Sequence, residues 1–344
     1  MTKPTDGYLR RYDSEGLGMS DLEQRTHAIG VDIGGTNIRA GVVSWDGEIL
    51  DTVHAPTPRS AASLERALEG TIRELMQRHE ISAVGLAIAG FLTRDRTTVR
   101  FAPHLPWRQA AVGSDLTRRL GVPVVLEHDA NSAAWAEYRF GAAKGSENVV
   151  IIAIGTGIGA ALLIDGEIFR GSYGIAPELG HIQVVPDGRT CPCGKRGCWE
   201  RYCSGTSLID TAIELLASQP SMSTPLAREV RMDPGSISGR RITAAAQDGD
   251  PLGEATVAEF ARWLGVGLAM VSDIYDPDLI VIGGGVGSSA PMYLDEAREH
   301  YAAMVTGAGH RPLARIRRAQ MGEEAAMIGA ADVARAARSE STSG

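Results

Sequence analysis

Residues 28–43 read A-I-G-V-D-I-G-G-T-N-I-R-A-G-V-V, and residues 44–53 continue S-W-D-G-E-I-L-D-T-V. Two apolar runs meet at Gly34-Gly35. Asp46-Gly47 supplies a hairpin turn before a third strand at 48–53, since glycine and aspartate tolerate the backbone angles a tight hairpin needs. The stretch is an antiparallel meander with a glycine turn at its first bend. The layout returns about 120 residues later: V-V-I-I-A-I is a buried strand, G-T-G-I-G at 155–159 a turn, A-A-L-L-I a second strand, Asp165-Gly166 another hairpin turn and E-I-F-R a third strand. Two copies of one strand-turn-strand-turn-strand unit predict a duplicated fold with one half-site in each copy.

Helical spacing marks 61–79, with Leu64, Leu68, Ile72, Leu75 and Met76 on one stripe. A strand at 84–89 ends at Gly90, a second helix closes over 116–120, and a strand at 122–126 runs into E-H-D-A-N-S-A-A-W-A-E, where a third helix begins. After the second meander, 205–216 and 251–275 are helical by periodicity. L-I-V-I-G-G-G-V at 279–286 is a strand running into glycines, followed by a helix at 291–305, a strand at 314–319 and an alanine-rich helix at 323–337. The expected division is a polar, disordered tail at 1–26, one lobe at 27–140, a second at 141–337 and a frayed tail at 338–344.

At 344 residues the chain is long enough for two domains and a cleft. Hydrophobic content of 44%, 41 glycines and 5% aromatics describe a loop-rich α/β protein. The net charge is −8 with no basic block, which speaks against a nucleic-acid partner and for a small molecule. No run of some 18 apolar residues is present to span a bilayer, and 1–25 lacks the apolar core of a signal peptide.

Three glycine turns resemble one another: D-I-G-G-T at 32–36, G-T-G-I-G at 155–159 and G-G-G-V-G at 283–287. Glycine lets backbone N–H groups approach an anion with no Cβ in the way, and a neighbouring threonine adds a donor, so such turns can cradle phosphates. One copy reads as a hairpin; three, each after an apolar strand, favour phosphate binding. The pattern G-x-x-x-x-G-K-[ST] is absent. A Rossmann G-x-G-x-x-G has to open a helix, whereas Gly155, Gly157 and Gly159 lead into a strand.

In E-H-D-A-N, Asp129 follows a buried strand and precedes a helix. It reads either as an N-cap or as a base that meets the positive end of the helix dipole and accepts a hydroxyl proton; the two are compatible.

All four cysteines, Cys191, Cys193, Cys198 and Cys203, fall within thirteen residues, and a disulfide framework would spread them. The cluster argues for a metal site in a reducing cytoplasm. Zinc takes four N/S ligands, and His181 with the four cysteines offers five candidates. Glu178 and Glu200 flank them, a pair of acids aimed at a bound substrate.

E-L-G-H followed by C-P-C-G-K-R-G-C-W-E closely resembles the signature of the ROK family of sugar kinases and repressors. The resemblance covers roughly 29–337, and the meanders and glycine turns resemble the actin-like ATPase (ribonuclease H-like) superfamily, in which two like domains clamp a nucleotide. It implies a two-domain α/β fold of duplicated β-β-β-α-β-α lobes carrying a small zinc knuckle at 178–200. It implies a structural zinc on His181, Cys191, Cys193 and Cys198, leaving Cys203 as a free buried thiol. Asp32, Gly34, Gly35, Thr36, Asn37, Gly155, Thr156 and Gly157 fall on the β- and γ-phosphate side of ATP, with Mg²⁺ held by Asp32 through water, and Gly284 and Gly285 on the adenosine side. Asp129 becomes the base. Glu178, His181 and Glu200 contact the sugar, with His128, Gly90 and His104 lining the same cleft. The family usually has asparagine where this chain has His128, so the bidentate amide is lost there.

The activity implied is transfer of the ATP γ-phosphate to the 6-hydroxyl of glucose in a cytoplasmic dimer or tetramer. Fructose, N-acetylmannosamine and N-acetylglucosamine are the near alternatives as acceptor, and polyphosphate as donor. A sugar-sensing repressor is the rival of another class; those carry a winged-helix domain ahead of the kinase fold, and the stretch before Ile29 reads as too short for one.

Overall fold

A computed structural model of the chain describes residues 26–342; the tail expected at 1–26 lies outside them but for its last residue. The first half holds β1 (His27–Ile33), β2 (Asn37–Val43), β3 (Ile49–Pro56), α1 (Ala61–Met76), β4 (Ile81–Ile88), three short strands β5 (Phe91–Leu92), β6 (Val99–Phe101) and β7 (Arg108–Ala110), then α2 (Val112–Leu120), β8 (Val124–His128) and α3 (Asp129–Arg139). The second holds β9 (Val149–Ile154), β10 (Ile158–Ile164), β11 (Glu167–Ile168), α4 (Gly205–Ser218), α5 (Pro225–Met232), α6 (Gly239–Gln247), α7 (Pro251–Tyr275), β12 (Leu279–Gly283), α8 (Leu294–Met304), β13 (Arg315–Arg318) and α9 (Ala325–Thr342).

The two large sheets share one strand order. The first runs β3-β2-β1-β4-β8 and the second β11-β10-β9-β12-β13. In each, the meander strands pair antiparallel and the crossover strands parallel. The central strands β1, β4, β9 and β12 are almost wholly apolar because helices cover both faces. Glycines are required where helix meets sheet: a Cβ on Gly30 or Gly85 would stand 1.8 Å from a backbone oxygen of α9.

Several boundaries depart from the sequence expectation. β11 stops at Ile168 because Arg170 turns away to pair with Glu127. Gly285–Met292 is a 3₁₀ segment containing Pro291, so α8 begins at Leu294 and not at Pro291. The three-stranded sheet β5-β6-β7 and helices α5 and α6 carry too short a pattern to be read from periodicity. The tail expected to fray after Arg338 continues α9 through Thr342. This helix returns to the first sheet and packs on β1, β4 and α3. Its Asp332 accepts from Trp135 Nε1 at 2.8 Å and Arg139 Nε at 3.0 Å, so a helix late in the sequence completes the first core.

Candidate functional site

The duplicated sheets bring the glycine turns to equivalent places, at β1–β2 and β9–β10. The first is pinned by Thr57, whose hydroxyl donates to Gly34 O at 2.7 Å and whose N–H donates to Thr36 O at 2.9 Å. Asp32, Gly34, Thr36 and Asn37 line an open cleft of about 530 Å³ together with Arg39, His54, Ala55 and Pro56. The second turn is held against the start of α4, where Gly205 N–H donates to Gly155 O at 2.7 Å and Thr206 Oγ1 to Thr156 O at 2.8 Å. Gly157 also makes room for Glu200: a Cβ there would stand 2.4 Å from Glu200 Oε2. Gly284, at φ 84°, lets the third turn lie against the end of β9.

Asp32 is the last polar residue of β1 and sits opposite Arg39 of β2, with Arg39 Nη2 3.5 Å from Asp32 Oδ2. Burial raises the Asp32 carboxyl above its ordinary 3.8; Arg39 opposes the rise and Asp129 adds to it. An acid near the end of β1 and one in the first turn of α3 thus lie close enough to feel each other's charge. Arg39 went unmarked by sequence reasoning; the hairpin register that pairs it with Asp32 was the available signal.

β8 delivers Asp129 to the first turn of α3. His128, not Asp129, is the N-cap residue, with Nδ1 3.3 Å from Ala130 N. Asp129 Oδ1 accepts from Ala130 N at 2.8 Å and lies 3.1 Å from His128 Nδ1. Its side chain is 40% exposed, so the carboxylate is open to solvent. A neighbouring recess is lined by Gly90, His128, Asn131, Ala160 and the loop Gly174–Glu178. It gathers three of the predicted sugar residues: Gly90, His128 and Glu178. His104 stands instead against Gly35 at the first turn, where a Cβ on the glycine would be 3.6 Å away. Burial raises the Glu178 carboxyl, opposed by His128 and His181 and reinforced by Asp129 and Glu200. Asn131 and the 174–177 loop were not foreseen; the loop has no periodicity.

The cysteine segment folds as a knuckle. Gln183 and Cys198 form one β-bridge and Thr190 and Arg196 another, and Lys195 O accepts from Cys191 N at 2.9 Å, closing the C-P-C-G-K turn. The ligand atoms of His181, Cys191, Cys193 and Cys198 lie within 4.8 Å of one another. Cys191 Sγ is 3.7 Å from His181 Nδ1, and Cys193 Sγ is 3.6 Å from Cys198 Sγ. A tetrahedral zinc site has ligand–ligand edges of about 3.3–3.8 Å; these two edges match that range, and the N/S donor set suits the ion. Cys203 lies in the apolar core of the second half, where burial holds its thiol well above the usual range. Trp199 fastens the knuckle: its ring is fully buried against Gly267 of α7, and Nε1 donates to Trp263 O at 2.8 Å. Glu200, next to it, reaches Cys191 Sγ at 3.1 Å and His181 Nδ1 at 3.5 Å. No helix of the described residues is long and apolar enough to cross a membrane.

The ROK family model matches residues 28–337. A glucokinase of Streptomyces coelicolor is 42% identical over 307 residues, which cover 89% of this chain and 97% of that protein. A ROK family glucokinase from Streptomyces griseus, solved with glucose and AMPPNP, superposes with a TM-score of 0.75 at 41% identity, covering 90% of this chain and 99% of the other. A ROK hexokinase from Thermus thermophilus gives a TM-score of 0.76 at 32% identity, covering 92% and 100%.

Proposed function

This chain belongs to the ROK family, and from that premise we propose that it is an ATP-dependent glucokinase that transfers the γ-phosphate of ATP to the 6-hydroxyl of glucose. The observation that carries the reading is the placing of Asp129 in the first turn of α3, directly after His128, which lines a recess with Gly90 and Glu178, in a chain 41% identical to a protein solved with glucose and AMPPNP. The α/β fold with mixed sheets is of the actin-like ATPase class.

In this mechanism the sugar lies in the recess with its hydroxyls against Glu178, His181 and Glu200, and its 6-hydroxyl at Asp129. Asp129 accepts the proton as the oxygen bonds to phosphorus and the bridging P–O bond breaks, releasing ADP. The transition state of phosphoryl transfer is loose, so the base chiefly orients the acceptor and the surrounding donors do most of the electrostatic work. Gly34 and Gly155 close their turns with their own N–H groups, donating to Asn37 O and Gly157 O, which leaves the later N–H groups of the two turns to the phosphates, and the 284–285 turn borders the adenosine. Mg²⁺ arriving with ATP would neutralise phosphate charge, with Asp32 as its protein partner. Zinc on His181, Cys191, Cys193 and Cys198 would have a closed coordination shell and a structural role only; its position between Glu178 and Glu200 would hold both acids toward the sugar. The reaction fits the cytoplasm, where ATP is available.

A coupled ADP-release assay over glucose, fructose, N-acetylmannosamine and N-acetylglucosamine, with ATP and polyphosphate as donors, tests the proposal. Glucose with ATP is expected to give the highest kcat/KM; no release with any sugar defeats the kinase reading.

The raised Asp32 carboxyl also affects stability. The native protein binds more protons there than the unfolded chain between the ordinary 3.8 and the raised value. Stability on this account falls as pH rises through that window, and the cost is complete above it. Asp32→Asn is expected to raise the melting temperature at pH 7 while lowering kcat by on the order of 100-fold. A melting temperature below the parent's would show that the Arg39 pairing outweighs burial.

A further inference from the structure

Behind the proposed base lies a carboxylate that the phosphoryl-transfer chemistry does not use. Glu127, next to His128, is 2% exposed. Its Oε1 accepts from His128 N at 3.1 Å and from Asn131 Nδ2 at 2.9 Å, bracketing Asp129 on both sides. Its Oε2 accepts from Arg170 Nε at 3.0 Å and Nη2 at 2.6 Å, a two-pronged charge-assisted pair, with Arg96 Nη1 3.9 Å from the same oxygen. The partners come from different sheets: Glu127 is the last residue but one of β8 in the first, and Arg170 follows β11 of the second. Arg170 is the root of the loop whose residues 174–178 wall the sugar recess and end at Glu178.

Burying such a pair gains little stability, since desolvation offsets the attraction and apolar residues of like volume do as well. Its value here is geometric. We infer that Glu127 and Arg170 are positioning residues that hold Asp129 and the Glu178 loop at a set separation, so that the sugar's reacting hydroxyl meets the base when its other hydroxyls are bound. The inference rests on the kinase reading above and adds to it a link between the two sheets. Neither side chain needs to touch substrate.

The test compares Arg170→Met, Arg170→Lys, Glu127→Gln and the double variant Glu127→Gln/Arg170→Met in the full chain. The amide introduced by Glu127→Gln would keep an acceptor for His128 N–H and Asn131 but offer none to Arg170. Misplacing reacting groups by about 1 Å costs on the order of 100-fold. The single variants are therefore expected to raise the glucose KM and lower kcat by roughly 10- to 100-fold in kcat/KM while the ATP KM stays within about threefold. Arg170→Lys, with one prong, should fall between. The double variant should melt above Glu127→Gln, which leaves both Arg170 and Arg96 beside a neutral amide, yet remain impaired, and its loss should fall short of the product of the single losses. Hydrogen exchange should quicken at 171–178 in Arg170→Met. A folded Arg170→Met with glucose kinetics within about twofold of the parent overturns the inference, as does an equal loss in ATP affinity. If the parent phosphorylates no sugar, the kinase reading fails by itself, and the exchange measurement still decides the link: unchanged protection at 171–178 refutes it.

Discussion

Asp129→Ala is expected to lower kcat by on the order of 10³-fold or more, in the upper range for a lost general base, while ATP binding survives. The fold should tolerate the change. Ala130 N–H loses an acceptor at 2.8 Å, but His128 Nδ1 remains 3.3 Å away, and the Asp129 side chain is 40% exposed. Nucleotide affinity is expected to hold or tighten slightly. The negative charge at Asp129 helps keep the Asp32 carboxyl raised, and removing it makes ionised Asp32 easier to maintain beside the metal-bound phosphates. Steady-state kinetics with a nucleotide-binding titration measures both. Activity within about tenfold of the parent would remove Asp129 from the role of base.

Cys193→Ser is expected to strip the zinc and weaken sugar binding and stability together. Three ligands cannot close a tetrahedral site, and in small metal-braced units the binding free energy is folding free energy. Cys193 lies at the exposed tip of the knuckle, so the substitution costs little packing of its own. The acids at risk are those the knuckle carries: Glu178, three residues before His181, and Glu200, two after Cys198. Trp199 would still anchor the base of the segment on α7. The expected result is metal content falling from about one zinc per chain to near zero. The glucose KM should rise at least about tenfold and the melting temperature fall by on the order of 5–10 °C, with ATP affinity of the folded protein nearly unchanged. Metal analysis, calorimetry and kinetics on one preparation decide it. A parent without zinc, or a zinc-free variant with parental sugar affinity, would end the proposed coupling between the knuckle and the sugar site.

Much of the architecture was legible because it is locally encoded. The two meanders carry their own turn residues, Asp46-Gly47 and Asp165-Gly166, and the order of apolar runs repeats; that is enough to predict two alike sheets. β9 and α7 have the expected bounds, the latter because Asp250 caps and Pro251 begins the helix, a signal contained in two residues. The cysteine cluster was legible for the same reason, since its four candidate ligands lie within eighteen residues of one another in the chain.

What the sequence by itself determined about this protein is the set of units: two strand meanders, three glycine turns, an acid at a strand–helix junction and a compact N/S cluster between two glutamates. Tertiary structure alone decided how these units face one another. His128 caps α3 and leaves the Asp129 side chain exposed, Arg39 pairs with Asp32 across a hairpin, and α9 returns to pack on the first sheet. Arg170 leaves its strand after Ile168 to reach Glu127, 43 positions away, and so brings the wall of the sugar recess to the base. The physical reason is one of range. Turn, cap and periodicity preferences act over a few residues, whereas a buried carboxylate takes whichever donor the packed chain brings within about 3 Å, and nothing in the local sequence of either partner names the other.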